Sequence, residues 1–377
     1  MALPRSRRRS SSARAVGTAC AIALAGGIVA SCSAGSASAG GSGTRGPAAG
    51  TPAPATAAPA PHAPAGRAAA PLYPLPAPAV SPTGCPIRPA PPGYGVIPRP
   101  PRPRVAESAV PAPLAQPVRR VDTTPIAGTG IWVTVFRGGH IDAPAIVDHA
   151  AKAHLHSIWV RTGSTHDGLY AASVLADLLP MAHAKHLAVI AWDFPTLSDP
   201  AADAARMVAT LGVTVAGQHL DGVSPDVETS SEGVFLTGRR VASYFSRISA
   251  HAGSRPVIAT VLRPTDGNWF SAAGYPYRAE APYVDAFAPM VYWSCTEPGA
   301  ATQQAVDRLR SLGRPVHTVG QAYDQGTYGR RGTPTPLETW RFLDVSKRRG
   351  AVGASLYFYD GMRGFTWRAI GAYPYAG

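Results

Sequence analysis

The chain has 377 residues, of which 35 are Lys or Arg and 22 are Asp or Glu, giving a formal net charge of +13. Residues 1–120 carry +12 of this charge, so residues 121–377, at +1, offer no electrostatic basis for binding nucleic acid. Because no Gly-x-y period and no apolar run of roughly 20 residues occurs, a collagen-like chain and a membrane channel are excluded.

Residues 1–39 are typical of a secretory signal peptide. A cluster of arginines precedes an apolar run from Ala15 to Ala30, and small residues follow as far as Ala39. The run is short for a spanning helix, so its retention as a membrane anchor is the weaker alternative. A signal peptidase would cut after Ala39, whereas the sequence ending at Cys32 resembles a bacterial lipobox and would leave Cys32 lipidated. Both outcomes predict a protein outside the cytoplasm, secreted or attached to the outer face of the cell membrane.

Residues 40–120 are rich in Pro, Ala and Gly and contain few large apolar side chains. Such a composition cannot bury enough apolar surface to offset the entropy of ordering, which predicts a disordered linker that spans a cell envelope. Its arginines would favour an anionic envelope as a partner. Within it, the segment 83–97 is predicted to pack against the folded domain.

The remaining residues, 121–377, alternate strand-like and helical patterns. Eight apolar runs predict strands: Ile131–Phe136, Ser157–Arg161, Ala188–Trp192, Gly222–Val227, Val257–Leu262, Ala286–Tyr292, Val316–Gly320 and Ala354–Phe358. Helical periodicity occupies most of the intervals: Ala145–Ala153, Ala171–Lys185, Ala201–Leu211, Thr237–Ala252, Thr302–Leu312 and Leu337–Arg349, with a short Thr366–Ile370 at the end. Eight such units predict an α/β fold, a (β/α)8 TIM barrel. An open doubly wound sheet is the weaker alternative, because no G-x-G-x-x-G follows the first strand.

The carboxyl ends of barrel strands carry the functional residues of such folds. Here those ends are rich in acids and aromatic rings, which can bond to sugar hydroxyls and stack on sugar faces, so we expect a carbohydrate-binding cleft. The predicted substrate-binding residues are Trp192, Asp193, Tyr292, Trp293, Gln321, Asp324, Tyr357, Tyr359 and Asp360. No zinc-binding spacing occurs, so we expect neither a metal nor a cofactor.

Asp226 and Glu228, at the end of the fourth strand, are the predicted catalytic residues. Since they are two positions apart on an extended strand, their side chains point the same way. Two adjacent carboxyl groups raise each other's pKa, which keeps one of them protonated as a general acid, as glycosidic bond cleavage requires. The simpler alternative is a pair of solvated loop acids.

The stretch 221–228, Asp-Gly-Val-Ser-Pro-Asp-Val-Glu, resembles the D-G-x-D-x-D-x-E signature of glycoside hydrolase family 18, the chitinase-like barrels. Met290-Val291-Tyr292 is similar to the family's M-x-Y on the sixth strand. The resemblance implies that Glu228 protonates the leaving oxygen, while Asp226 and Tyr292 orient an N-acetyl group that attacks the anomeric carbon. Ser224 departs from the signature, and the family's S-x-G-G is replaced on the third strand by residues 191–194.

Three functions remain open from the sequence. The first is a hydrolase of a β-linked, N-acetylated polysaccharide such as peptidoglycan or chitin, active as a monomer. The second, suggested by Ser224 and the missing third-strand motif, is a non-catalytic carbohydrate-binding barrel of the cell envelope. The third is a hydrolase of another glycan, such as a galactosamine polymer, that uses Asp193 with Glu228.

Cys85 and Cys295 remain after removal of the signal peptide, and an oxidising compartment favours a disulfide between them. The bridge would bring the segment 83–97 to the cleft. We expect mass spectrometry of unreduced tryptic peptides to detect the linked pair. Two free thiols, alkylated without prior reduction, would contradict this pairing.

Overall fold

The computed structural model describes residues 102–116, 121–270, 274–293, 296–324 and 332–375, all within the compact unit Ala77–Gly377. The predicted signal peptide, the lipidation candidate Cys32 and the disulfide candidates Cys85 and Cys295 lie outside the described residues, as does the segment 83–97. In the part of the chain that is described, no helix combines the length and apolar character that a membrane span requires.

Eight parallel strands form the predicted barrel. In chain order they are β1 (Gly128–Val133), β2 (Ser157–Ser164), β3 (Ala188–Phe194), β4 (Gly222–Pro225), β5 (Ile258–Leu262), β6 (Ala286–Val291), β7 (His317–Gln321) and β8 (Gly353–Tyr357). They pair in the order β4-β3-β2-β1-β8-β7-β6-β5. Parallel bridges Val223–Val257 and Asp226–Thr260 join β4 to β5 and close the ring. The α/β TIM-barrel prediction is therefore confirmed.

Nine α-helices are described, and the long ones lie outside the strands. They are α1 (Ala143–Lys152), α2 (Ala171–His183), α3 (Pro200–Leu211), α4 (Gly238–His251), α5 (Asp266–Trp269), α6 (Tyr277–Glu280), α7 (Pro298–Arg310), α8 (Pro336–Arg348) and α9 (Gly364–Ala372). Short strands occupy Gly168–Leu169, Thr214–Val215 and Gln218–His219, and 3-10 turns occupy Glu107–Ala109, Thr124–Ile126, Ser230–Glu232, Ala281–Tyr283 and Tyr359–Gly361.

The largest differences from the predicted bounds are at β1, β2 and α7. β1 ends at Val133 rather than Phe136, and β2 ends at Ser164 rather than Arg161. β1 begins three residues earlier than predicted, because Gly128 pairs with Gly353 although it has no side chain to signal a buried strand. α7 begins at Pro298 because the Glu297 carboxylate accepts hydrogen bonds from the Gly299 and Ala300 amides and caps the helix.

Two apolar cores result from the alternation of side chains along each strand. The inner core fills the barrel and includes Trp132 and Trp159, whose rings stack with centroids 4.9 Å apart. The outer core lies between the strands and the helices and includes Phe245 and Phe287. Because the inner core fills the barrel below the carboxyl ends of the strands, a ligand has access only at those ends.

Residues 104–116 run along α4 and belong to the folded domain, although their composition places them in the predicted linker. The Arg104 amide donates to Ser198 Oγ at 2.8 Å, and the Leu114 amide donates to Ser246 Oγ at 2.9 Å. The buried Arg240 donates to Glu107, at 2.8 Å, and to backbone carbonyls that include Leu197. Polar contacts to the main chain therefore hold this segment, which a search for apolar runs does not detect.

We expect Arg240→Ala to lower the free energy of unfolding by about 2–4 kcal/mol, because the substitution removes several buried hydrogen bonds. Residues 104–110 should also become accessible to proteases. Urea denaturation and limited proteolysis measure both effects. Arg368→Ala, at an exposed position of α9, is the control and should change stability by less than about 0.5 kcal/mol. An Arg240→Ala effect as small as the control's would show that the segment is not held in this way.

Candidate active site

Asp226 and Glu228 follow the last residue of β4, Pro225, which has no amide hydrogen to extend the ladder. The Asp226 amide donates to the Asp193 carbonyl at 2.8 Å, and the Val227 amide donates to the Thr260 carbonyl at 3.3 Å. Both neighbouring strands thus hold the backbone at this point. Asp226 still forms a parallel bridge with Thr260, and Val227 is buried in the outer core, so Asp226 lies on the inner side. The Glu228 carboxyl group is close enough to interact electrostatically with Asp226 and with Tyr292.

Asp226 is 8% exposed, and its Oδ1 atom has no hydrogen-bond partner among the described residues. Burial raises the pKa of Asp226 to about 7, against the opposing positive charge of Arg161. Burial, followed by the carboxyl groups of Asp226 and Glu232, raises the pKa of Glu228 well above its usual range. Raised pKa values of this kind are what a general acid requires.

Ser224 stands one layer below Asp226, at the position where the family 18 signature has an aspartate. Its hydroxyl lies 2.7 Å from Thr260 Oγ1, within the barrel wall. A hydroxyl pair in this layer leaves Asp226 without a second carboxyl group beneath it.

Four partly buried aromatic residues surround the mouth of the barrel beside the acids. Tyr292 lies 5.8 Å from Tyr357 and 5.8 Å from Tyr323, measured between ring centroids. Phe358 lies 5.9 Å from Tyr323, and the peptide bond between Tyr357 and Phe358 is cis. Burial, with smaller contributions from Tyr323 and Tyr357, raises the pKa of the Tyr292 hydroxyl well above its usual range, so this hydroxyl remains a hydrogen-bond donor.

Trp192 and Arg161 lie on the inner side of β3 and β2, next to the acids. Trp192 is 3% exposed, and its indole donates to the Val133 carbonyl at 3.2 Å. The Arg161 guanidinium carbon lies 5.4 Å from the centroid of the Trp192 ring. Trp192 therefore forms part of the floor of the cleft, rather than an open platform.

Three predicted substrate-binding residues face away from the cleft. Asp193 is buried between β3 and the helices, where it accepts hydrogen bonds from Arg206 at 2.6 Å and Tyr244 at 3.2 Å. Trp293 is 1% exposed and packs against Phe342 of α8.

Tyr359, the third of these, bonds to His149 Nδ1 at 2.8 Å and packs against Trp367. Its position after β8 predicted a place at the cleft, but its side chain turns towards α1 and α9. Side chains beyond a strand end no longer follow the strand's alternation, so sequence spacing did not predict this direction.

The other predicted residues remain at the cleft end of the barrel. Gln321 is 1% exposed on β7 and pairs in register with Tyr357. Asp324 follows β7 and Asp360 follows β8, and both are exposed.

Arg161, Tyr323 and Phe358 lie at predicted strand ends, but they were not among the predicted substrate-binding residues. Arg161 carries a signal in the sequence, since it occupies the same inner face of β2 as Trp159, two positions earlier. Tyr323 and Phe358 follow strand ends, where no periodicity indicates a direction. Among the described residues, no group of three or more His, Cys, Asp or Glu side chains is placed to hold a metal ion.

No protein-family model and no curated protein sequence matches this chain. Solved structures similar to it include the spore cortex-lytic enzyme SleL of Bacillus megaterium, at 12% identity and a TM-score of 0.49, with 65% of this chain and 73% of that chain covered. A chitinase of Chromobacterium violaceum matches at 13% identity and a TM-score of 0.48, covering 65% and 99%. A glycoside hydrolase family 18 N-acetylglucosaminidase of Paenibacillus barengoltzii matches at 11% identity and a TM-score of 0.44, covering 65% and 99%.

The pKa of Asp226 predicts how this residue affects stability. Because burial raises the pKa in the folded state from 3.8 to about 7, the protonated form favours folding below pH of about 4, and this contribution is lost as the pH rises through about 7. Asp226→Asn should therefore gain stability relative to wild type as pH increases, by roughly 2–4 kcal/mol at pH 8. Urea denaturation between pH 4 and pH 8 measures the difference. Asp177→Asn, on the exposed face of α2, should show no such trend, and a pH-independent difference for Asp226→Asn would contradict the assignment.

Proposed function

We propose that the protein is a glycoside hydrolase that cleaves a β-linked, N-acetylated polysaccharide such as peptidoglycan or chitin. The observation that carries this proposal is the pair of inward-facing acids, Asp226 and Glu228, with raised pKa values at the carboxyl end of β4. Their place in the barrel agrees with the family 18 signature in residues 221–228. Solvated loop acids would instead keep pKa values near the usual range for carboxyl groups.

In the proposed reaction, Glu228 donates its proton to the oxygen of the bond that breaks, so the leaving sugar departs as a neutral alcohol. Asp226 Oδ1, which is without a partner, accepts a hydrogen bond from the N–H of the substrate's acetamido group. The Tyr292 hydroxyl donates to the acetamido oxygen. That oxygen attacks the anomeric carbon, and water then opens the resulting ring while Glu228 takes back a proton.

The aromatic residues beside the acids support a sugar as the ligand. Tyr292, Tyr323, Tyr357 and Phe358 present partly exposed rings at several orientations, with contacts that are tilted or edge-on. Rings held in this way stack on the apolar face of a pyranose and exclude water from the reacting bond. The hydrolase in which Asp193 assists Glu228 is not proposed, since Arg206 and Tyr244 bond to both Asp193 oxygens.

We further infer that the reaction takes place outside the cytoplasm, by a monomer that is secreted or attached to the outer face of the membrane. The arginine-rich start of the chain, its apolar run and the small residues up to Ala39 support export. A polysaccharide of the cell envelope is then the accessible substrate, and the basic residues before 120 favour an anionic surface.

A second candidate function is a non-catalytic barrel that binds the same glycans. It is favoured by Ser224, whose hydroxyl pairs with Thr260 and supplies no carboxyl group beneath Asp226. In this alternative the acids and aromatic rings recognise the sugar, but no bond is broken.

Glu228→Gln separates the two functions. The substitution keeps the shape of the side chain and removes its proton, so we expect the release of reducing ends from peptidoglycan or chitin oligomers to fall at least about a thousandfold, while binding changes little. Glu338→Gln is the matched control, since glutamine also supports the capping box at the start of α8. If the wild type releases no reducing ends from any N-acetylated glycan, yet both proteins bind it equally, the barrel is a binding protein.

A further inference from the structure

The backbone of Arg161 lies in the same layer of the barrel as the backbone of Ser224. It pairs in register with Trp192 on β3, and Trp192 pairs with Ser224 on β4. Because neighbouring strands lie about 4.8 Å apart, the backbones of Arg161 and Ser224 are about 10 Å apart. From there the long side chain of Arg161 can reach towards Asp226, which lies in the next layer. The guanidinium carbon lies 4.6 Å from the centroid of Phe136, which is 38% exposed at the rim.

The guanidinium of Arg161 has fewer partners than the other buried guanidinium groups. It is 7% exposed, yet its Nε atom has no partner and no hydrogen bond to a described residue is found. Its ion pair to Asp167 is 3.8 Å long, beyond hydrogen-bonding distance. By contrast, the Nε atoms of Arg206 and Arg240 donate to carboxylates at 2.6 and 2.8 Å. A buried guanidinium with unused donors costs free energy unless a ligand supplies the acceptors.

The two sides of the cleft floor thus offer complementary groups. Arg161 offers unused donors and a positive charge, whereas Asp226 Oδ1 is an unused acceptor. A planar guanidinium recognises a carboxylate through two parallel hydrogen bonds. The ligand that satisfies both groups has an amide N–H and a carboxylate on the same or adjoining sugars.

We propose that Arg161 forms an anion subsite and that the substrate is an N-acetylated glycan whose sugars carry a free carboxylate. The proposal rests on the function proposed above and specifies its substrate class. Glycan strands of peptidoglycan without stem peptides meet the requirement, because their lactyl ethers end in free carboxyl groups. Chitin, which is uncharged, does not.

The test compares two forms of one ligand on the full chain carrying Glu228→Gln, which prevents turnover. One form is peptide-free glycan strands, and the other is the same strands with each lactyl carboxyl converted to its methylamide. Isothermal calorimetry should give an affinity at least about tenfold higher for the carboxylate form. Adding Arg161→Gln should abolish this preference by weakening the carboxylate form alone, whereas Arg161→Lys, which retains the charge, should keep part of it.

Arg137→Gln is the control for a general effect of rim charge, since Arg137 is exposed and donates to the Asp167 carbonyl at 3.0 Å. It should leave the preference unchanged. Equal affinity of the Glu228→Gln chain for the two forms, or no binding of either, would overturn the subsite whatever the folding of the Arg161 variants. A preference for the carboxylate form that persists in Arg161→Gln would also overturn the subsite. So would an equal loss of affinity for both forms, because it would show that Arg161 only balances the charge of Asp226.

The outcome is distinguishable from failure of the proposed function. That failure is an absence of released reducing ends when wild-type protein is incubated with either form, whatever the affinities are. A preference for the carboxylate form without cleavage would support the subsite in a binding protein.

Discussion

The pairing of β4 with β3 and β5 is the constraint on which the site depends. β4 is only four residues long, and it closes the barrel through isolated bridges at Val223–Val257 and Asp226–Thr260. The same backbone positions that close the ring hold Asp226 and Val227 by hydrogen bonds to Asp193 and Thr260. The strand pairing that closes the barrel therefore also sets the direction of the acidic side chains. A shift of one residue in the register of β4 would point both acids into the outer core.

The chemistry follows from where this closure places the acids. At the mouth of a barrel whose interior is filled by Trp132, Trp159 and Trp192, carboxyl groups lose solvent, and burial is the largest cause of the raised pKa values. The positive charge of Arg161 opposes this shift only at Asp226. The two neighbouring carboxyl groups therefore differ in their electrostatic surroundings, and such a difference allows neighbouring acids to take different roles.

The sequence was sufficient for the fold, because runs of apolar residues indicated eight strands, and it also predicted one face for Asp226 and Glu228 from their spacing of two. It was insufficient wherever contacts between distant residues decide the outcome. Arg240 holds Val105 and Glu107 through contacts across more than 130 positions of the chain. Asp193, Trp293 and Tyr359 turn outward towards partners on the surrounding helices. The direction of Tyr323 and Phe358, beyond their strands, is likewise a tertiary property.

The proposed chemistry depends on raised pKa values of Asp226 and Glu228 in the folded protein. Carbon-13 NMR of the side-chain carboxyl groups, recorded as a function of pH on wild type, Asp226→Asn and Glu228→Gln, measures this directly. The structure predicts that an Asp and a Glu signal in the wild type titrate above the usual range for carboxyl groups, and that each is absent from the corresponding variant. If every signal lost on substitution titrates below pH 5 in the wild type, the two acids are ordinary solvated carboxylates, and the account of the site is wrong.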